Sequence, residues 1–251
     1  MSGAPAQWTV AAWAAFPGLA HAFFGRRGGV SRGPFASLNC SDRLGDEAEA
    51  VRENRARAAR GLGAERIALP RQVHGDRISH DLTESEEADG LVVRATGVAA
   101  GVLTADCVPL LMVLPDARVA AAVHAGWKGT ALGIAVRAAQ VLCAETGLPP
   151  AELHVALGPA IGSCCYEVGV EVIDALESGA ARGCVRLEKR SAERGHVDLR
   201  RINAAQLRQL GVRGERIHRV GPCTACARDE LYSHRASRGA AGRQLSAIAW
   251  R

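Results

Sequence analysis

The sequence lacks several features that define large classes of protein. Its longest apolar runs, 98–103 and 110–114, are too short to span a membrane, and Asp106 and Pro109 interrupt them. The N-terminus has no basic segment leading into an apolar run, so no secretion signal is expected. Aromatic residues make up only 4% of the chain and the arginines are scattered, although the net charge is +5. We therefore expect a cytoplasmic protein, a monomer or weak homo-oligomer, that binds neither membranes nor nucleic acid.

Histidine pairs are also missing. None of the eight histidines is followed two positions later by histidine or by glutamate. Multicopper centres need closely spaced imidazoles, so the sequence argues against a four-copper oxidase, although one copper could bind. The zinc deaminases of nucleobases require a His-x-Glu signature, so that class is also disfavoured.

Length and composition indicate an ordinary globular protein. The chain has 251 residues, of which 48% are hydrophobic and 23% are charged. No linker or repeat divides it, so we expect one domain over 1–251, with 1–8 flexible. In a reducing compartment most of its eight cysteines should be free thiols.

The apolar pattern predicts a mixed α/β fold with sheets flanked by helices. Strands are expected at 67–69, 90–94, 98–104, 110–114, 119–124, 153–157, 216–220 and 244–249. Helices are expected at 46–61, 131–146, 170–178 and 199–210. The strand, helix and strand from 119 to 157 form a crossover unit, so part of the sheet should be parallel.

One segment places chemistry where α/β proteins often put it. Val123-His124-Ala125-Gly126-Trp127-Lys128-Gly129-Thr130 has a histidine at the end of an apolar strand and a lysine at the start of a helix. The 31 basic residues include only two lysines, Lys128 and Lys189. A lysine at this position suggests a point charge for an anion.

Three residues at strand ends or in tight loops are good metal ligands: His74, Cys107 and His124. Two imidazoles and one thiolate would leave a fourth position open, as in a catalytic zinc site. Each residue taken alone is also compatible with ordinary core packing, and spacing does not decide between the two interpretations.

Many short motifs occur in the order found in one known family, and they run nearly from end to end of the chain. They are Arg26-Arg27-Gly28-Gly29-Val30-Ser31, Ser37-Leu38-Asn39, Glu53-Asn54-Arg55, Gln72-Val73-His74-Gly75, Ala88-Asp89-Gly90, Thr104-Ala105-Asp106-Cys107, the His124 to Thr130 run, Gly158-Pro159-Ala160-Ile161-Gly162, Tyr232-Ser233-His234-Arg235 and Gly242-Arg243-Gln244. The chain thus resembles the laccase-domain proteins. That family is also described as multicopper polyphenol oxidases, purine nucleoside phosphorylases and peptidoglycan editing factors.

The resemblance implies a fold similar to that of a cysteine-dependent hydrolase, with zinc bound by His74, Cys107 and His124. It implies phosphorolysis of purine nucleosides (adenosine, inosine, guanosine and methylthioadenosine) by phosphate, together with deamination of adenosine. It also implies that Arg55 contacts substrate.

Other residues are assigned on chemical grounds. Phosphate would be bound by cations, for which Lys128, Arg26, Arg27, Arg55 and Arg243 are candidates. Asp106 could orient an imidazole or carry protons, or could instead satisfy backbone donors in a tight loop. Gln72 and Asn39 could bind a base or a sugar hydroxyl or fix loop geometry, and Tyr166 and Trp127 could stack on a purine.

Alternatives remain open. Cys107 with His124 or His74 could form a cysteine hydrolase, and an anion-binding pocket would also suit the editing of a peptidoglycan precursor. Copper-dependent phenol oxidation is a third alternative. Cys223 and Cys226 are expected to be packing, a redox-labile pair or a weak additional metal site. The adjacent Cys164 and Cys165 would point to opposite faces of a strand, so they are expected to be poor partners for one ion.

Overall fold

The computed structural model describes residues 5–83, 85–185, 187, 191 and 193–251. The strands are β1 (Gln7–Trp8), β2 (Leu19–Phe24), β3 (Arg66–Ala68), β4 (Ile78–Ser79), β5 (Gly90–Val93), β6 (Val98–Thr104), β7 (Val108–Leu114), β8 (Val119–Ala125), β9 (His154–Leu157), β10 (Glu167–Gly169), β11 (Arg194–His196), β12 (Ile217–Arg219) and β13 (Gln244–Trp250). The helices are α1 (Ala48–Leu62), α2 (Trp127–Leu132), α3 (Ile134–Thr146), α4 (Val170–Ser178) and α5 (Leu199–Leu210).

Two large sheets form the centre of the molecule. The first has five strands in the order β1-β2-β13-β6-β3, and the second has six in the order β12-β9-β7-β8-β5-β4. Strands β10 and β11 form a small two-stranded antiparallel sheet. An apolar cluster that includes Phe23, Val102, Leu111 and Ala122 lies between the two large sheets. Helices cover the outer faces, so the layers are helix, sheet, sheet and helix. This confirms the predicted mixed α/β single-domain architecture.

The two outer layers have separate cores. Helix α1 packs its Ala58, Ala59 and Leu62 onto the outer face of the five-stranded sheet. Helices α3, α4 and α5 cover the outer face of the six-stranded sheet, with Ile134 and Leu142 among the contacts. Because β7, β8 and β13 are covered on both faces, every one of their residues is buried. Continuous apolar strands are the expected result of such double coverage.

The predicted crossover is more elaborate than a simple unit. Strand β7 is antiparallel to both β8 and β9 and lies between them, so β8 and β9 run in the same direction without being neighbours. Parallel neighbours occur elsewhere, in the pairs β12 with β9, β4 with β5 and β3 with β6. The prediction of a partly parallel sheet is therefore confirmed.

Two local predictions need correction. The helix expected at 131–146 is two helices that begin earlier, at Trp127, and are separated by Gly133 with a φ of 81°. Glycine adopts this left-handed conformation without the steric cost of a side chain. Of the segment 1–8 expected to be flexible, residues 1–4 lie outside the described part, while Gln7–Trp8 pairs with β2. Lys189, the other lysine of the chain, also lies outside the described residues.

Among the described residues, no helix combines the length and apolarity needed to cross a membrane. All eight cysteines are free thiols, as expected.

Candidate metal centre

Three ligands from separate parts of the chain meet at one end of the six-stranded sheet. His74 lies in the loop before β4, Cys107 in the turn between β6 and β7, and His124 near the end of β8. Their ligand atoms all lie within 4.8 Å of one another. The two imidazole rings are 4.8 Å apart and nearly perpendicular, at 88°. The structure therefore brings the three predicted ligands together.

Gly126, directly after β8, lies close to two of the three candidate ligands. A Cβ atom there would lie 3.2 Å from Cys107 Sγ and 3.2 Å from His74 Cδ2. Contacts this close would displace the ligands, so the glycine keeps the space between the three donors open. This open space and the nitrogen and sulfur donors fit a zinc or copper ion.

Asp89 orients two of the three ligands. Its carboxylate is fully buried and lies 2.7 Å from His124 Nδ1. It also accepts hydrogen bonds from the backbone N–H groups of Val73, His74 and Gly75, at 3.1, 3.0 and 2.7 Å. These bonds hold His74 in the left-handed region, with a φ of 62°. Because Asp89 engages Nδ1 of His124, Nε2 is the nitrogen left to bind a metal.

The contacts among Cys107, His124 and Asp89 also shift the pKa values of these three side chains. Burial by itself would raise the pKa of Cys107, but the attraction of His124 and hydrogen bonds from both imidazoles lower it to about 6. Burial would lower the pKa of His124, but Cys107 and Asp89 raise it to about 9. The carboxylate of Asp89 likewise has a pKa below its ordinary value, because His124 and backbone donors outweigh its burial. The lowered pKa of Cys107 favours its thiolate form, which is the form that binds metals.

A cleft of about 460 Å³ lies beside the three ligands. Three of the predicted substrate residues line it, namely Arg55, Gln72 and Arg243. Arg55 also forms an ion pair with Asp42 at 3.2 Å. The side-chain amide of Gln72 bonds both the N–H and the carbonyl of Leu103, at 2.8 Å each, so it fixes the cleft wall. The cleft volume is within the range of small-molecule sites.

The other predicted substrate residues lie outside this cleft. Lys128 is exposed on α2, and its Nζ lies 5.6 Å from the ring of Trp127. Arg26 lines a separate cleft, donates to the carbonyl groups of Ala36 and Arg228, and covers the Tyr232 ring.

Asn39, Arg27 and the two predicted stacking residues also lie outside this cleft. The Asn39 side chain is buried and fixes loop geometry, with Oδ1 accepting from the N–H of Arg243 at 2.9 Å. Arg27 donates to the carbonyl of Asp229 at 3.0 Å. Trp127 packs against the core, and the Tyr166 ring faces the guanidinium of Arg235 at 5.3 Å.

Asp106 does not have the role of orienting an imidazole, which belongs to Asp89. The carboxylate of Asp106 accepts a hydrogen bond from Thr224 Oγ1 at 2.5 Å and from the backbone N–H of Arg235 at 2.7 Å. These bonds hold Asp106 with a φ of 93° in the turn that presents Cys107. The second interpretation of Asp106, a residue that satisfies donors in a tight loop, matches the structure.

Two functional candidates were missed in the sequence. Asp89 is part of a quoted motif, but its role depends on contacts between β5, β8 and the His74 loop. His234 is exposed and lines the cleft. Its position after Tyr232 and Ser233 was the available signal, since a motif histidine at a cleft is a candidate for proton transfer.

A family model described as "Multi-copper polyphenol oxidoreductase laccase" matches residues 20–251. The chain belongs to this family. The resemblance stated from the motifs is thereby confirmed.

Relatives in the family have names of enzymes. The purine nucleoside phosphorylase YlmD of Geobacillus stearothermophilus is 35% identical over 249 residues, covering 93% of this chain and 90% of that protein. A purine nucleoside phosphorylase of Deinococcus radiodurans is 41% identical, covering 92% and 90%. Adenosine deaminase RL5, from an unknown prokaryotic organism, is 32% identical, covering 90% and 92%. These names support an enzyme.

Solved structures match over the whole chain. The crystal structure of YlmD has a TM-score of 0.86 at 34% identity, covering 98% of this chain and 97% of that one. The crystal structure of the hypothetical protein YfiH of Bacillus licheniformis has a TM-score of 0.90 at 30% identity, covering 100% and 98%. The fold is therefore that of these family members.

Proposed function

We propose that this protein is a zinc-dependent purine nucleoside phosphorylase that also deaminates adenosine. It would convert a purine nucleoside and phosphate to the free base and ribose 1-phosphate. The observation that carries the proposal is the open trio of His74, Cys107 and His124, which adjoins a cleft lined by arginines. Relatives named for both activities support the choice of reaction.

His74, Cys107 and His124 would hold the zinc ion. Bound zinc supplies Lewis acidity and lowers the pKa of water to about 7, which provides a nucleophile at neutral pH. Asp89 keeps His124 in the tautomer that binds through Nε2 and holds the His74 turn in place. Two imidazoles and one thiolate leave a coordination position for a reactant, as catalytic zinc sites require.

Phosphate would bind beside the metal centre at the guanidinium groups of Arg55 and Arg243. Arg243 is partly buried in the cleft wall, where its NH1 donates to the carbonyl groups of Ala241 and Gly242, at 2.8 and 3.1 Å. These bonds orient the guanidinium before substrate arrives. Charge-assisted contacts from arginine are strong and directional, so they suit a phosphate that must approach the anomeric carbon from one side.

Proton transfer to the departing base would be the role of His234. This imidazole lines the cleft but does not belong to the metal-binding trio. An imidazole can act as a general acid, a role that suits the protonation of a leaving purine. Gln72, held by its two hydrogen bonds to Leu103, would form part of the cleft wall against the nucleoside.

The deciding experiment is to incubate metal-analysed protein with adenosine, with and without phosphate, and to identify the products. Adenine with ribose 1-phosphate indicates phosphorolysis, and inosine indicates deamination. His124→Ala and Cys107→Ala should abolish both reactions, while Cys143→Ala, a matched change in helix α3, should retain them. Full activity in metal-free His124→Ala protein would contradict the proposal.

A second candidate function rests on a specific contact. Cys107, His124 and Asp89 form a chain of thiol, imidazole and carboxylate, the arrangement of a cysteine hydrolase. Zinc bound to the thiolate would block this use. Alkylation of Cys107 that is equally fast with and without bound zinc would favour the hydrolase over the proposed phosphorylase.

A further inference from the structure

Four cysteines outside the metal centre come together from two distant loops. Cys164 and Cys165 lie in the loop after β9, and Cys223 and Cys226 lie in the loop after β12. Their sulfur atoms all lie within 4.8 Å of one another. We refer to these four residues as the tetracysteine cluster. The expectation that Cys164 and Cys165 are poor partners for one ion assumed an extended segment, and the structure contradicts that assumption because the segment turns.

Hydrogen bonds create that turn. The N–H groups of Cys165 and Tyr166 both donate to the carbonyl of Gly162, at 3.0 and 2.9 Å. In the other loop the N–H groups of Cys226 and Ala227 donate to the carbonyl of Cys223, at 3.2 and 3.0 Å. The two tight turns thus bring the four cysteine side chains of the two loops together.

The four sulfur atoms are close enough to share one ion, and two of their six separations are near the edge of a tetrahedral site. Cys226 Sγ lies 3.7 Å from Cys164 Sγ and 3.5 Å from Cys165 Sγ. A tetrahedron with Zn–S bonds of about 2.3 Å has edges of about 3.8 Å. A disulfide requires a bond of about 2.05 Å between two of these sulfurs, and would leave the other two without a role. In a cluster of four irons each thiolate binds a different iron, so the sulfurs would lie farther apart than they do here.

The surroundings suit a site with four negatively charged ligands. The N–H of Gly162 donates to Cys223 Sγ at 3.2 Å. Arg200 is 8% exposed, interacts electrostatically with Cys223 and Cys164, and has a buried Nε without a hydrogen-bond partner among the described residues. Four thiolates on a divalent ion carry a net charge of about −2, which a buried guanidinium stabilises.

We propose that the tetracysteine cluster binds a structural zinc ion that joins the loop after β9 to the loop after β12. The ion would be fully coordinated by protein, so it would have no open position for a substrate. It would differ in this respect from the ion at the His74, Cys107 and His124 centre. The proposal does not depend on the proposed catalytic function.

The joined loops support the turn that presents Cys107. Thr224, which lies between the two cysteines of its loop, holds the carboxylate of Asp106 at 2.5 Å. The N–H of Ile161, from the other cysteine loop, donates to the carbonyl of Asp106 at 2.9 Å. A zinc ion that fixes the two loops would therefore position Asp106, and with it the adjacent ligand Cys107.

The test is metal content of the full-length protein, purified under reducing conditions with zinc present. Relative to the wild type, the double variant Cys223→Ser/Cys226→Ser should lose about one zinc ion per chain, while Cys143→Ser should lose none. The same loss should occur when the double variant is made in a His124→Ala background, so the result does not depend on occupancy of the first centre. Equal zinc content in wild type and double variant would overturn the proposal.

The ligands of the ion in the tetracysteine cluster can be identified by spectroscopy, without substituting any of the four cysteines. Cobalt(II) loaded into the His124→Ala protein should give the intense thiolate charge-transfer and visible absorption of a tetrahedral site with four sulfur ligands. Zinc-edge X-ray absorption should show sulfur at about 2.3 Å as the sole ligand type. A spectrum with nitrogen or oxygen ligands would overturn the assignment. So would stoichiometric iron or copper in the cluster, or a Cys164–Cys226 disulfide in peptide maps of the reduced preparation.

Discussion

The two clusters of metal ligands differ in completeness and in what holds them. The centre at His74, Cys107 and His124 has three ligands and borders a cleft, and a buried carboxylate orients two of its ligands. The tetracysteine cluster has four ligands, two of them exposed, and two backbone turns arrange them. An open set of three ligands is the pattern of catalytic zinc, and a closed set of four is the pattern of structural zinc.

If both proposed zinc sites are correct, this difference separates two uses of the same metal within one chain. A catalytic ion must keep a position free, so the protein itself must hold the ligands in place, which Asp89 does here. A structural ion can organise its own ligands, because binding and local folding occur together. The two clusters meet at Asp106, which is next to Cys107 and is bonded by Thr224.

The largest contrast is expected for activity. Cys107→Ser and His124→Ala should each reduce phosphorolysis by about 10³-fold or more, because the proposed reaction loses its metal centre. Cys223→Ser should reduce it far less, since that residue touches no reactant. The measurement is the rate of release of purine base from inosine with phosphate. A comparable loss in Cys223→Ser and His124→Ala, in folded protein, would remove the distinction between the two clusters.

The second prediction compares Asp89 and Asp106, the two carboxylates next to the His74, Cys107 and His124 centre. Asp89→Asn should weaken zinc binding by about 10- to 100-fold, since groups that orient metal-binding histidines contribute effects of that size. Competition with a coloured chelator measures the affinity. Asp106→Asn is the matched carboxylate, and it should change zinc affinity less because it contacts neither imidazole ring directly. The reverse order would return the orienting role to Asp106.

Phosphate binding tests which cations belong to the cleft. Arg243→Ala should raise the KM for phosphate by about 10- to 100-fold, the effect of losing a charged hydrogen bond of about 1.5–3 kcal/mol. Lys128→Ala should leave it unchanged, because Lys128 is exposed and lies outside the cleft. Initial rates at several phosphate concentrations give both values. An increase in KM for Lys128→Ala would restore the lysine as the anion site.

Much of the fold was predictable because burial leaves a clear pattern. Strands β6, β7 and β8 are apolar runs, and helices α4 and α5 match their predicted bounds. Five strands were missed. Strands β1, β4, β10 and β11 have two or three residues each, too few for a periodic signal. Strand β2 has six residues, and its mostly apolar sequence, Leu19–Phe24, was overlooked. The break at Gly133 was missed because an isolated glycine in a helical pattern is often tolerated.

The site was predictable in part. The three ligands could be named because strand ends and a family pattern identify them one by one. Asp89 and the tetracysteine cluster depend on which loops meet in space, and periodicity does not contain that information. The assumption that Cys164 and Cys165 lie in an extended segment was wrong, because hydrogen bonds to Gly162 turn the chain there. Lys128 lies outside the cleft, and a position at a helix start does not determine the direction in which the side chain points.

The smallest effect should arise where the two clusters meet. Thr224→Val preserves shape but removes the hydroxyl that bonds the Asp106 carboxylate. Thr224 is fully buried, so the unpaired oxygen of Asp106 should cost about 1–3 kcal/mol of unfolding free energy. In a chain of this size that cost corresponds to a decrease in Tm of about 2–12 °C. Calorimetry gives the Tm, and Thr224→Ser, which keeps the hydroxyl, is the control.

Zinc content should be unchanged in both variants, while kcat should fall a few-fold in Thr224→Val alone. If kcat stays at the wild-type value despite the lower Tm, the link through Asp106 stabilises the fold without positioning Cys107, and the two clusters are functionally independent.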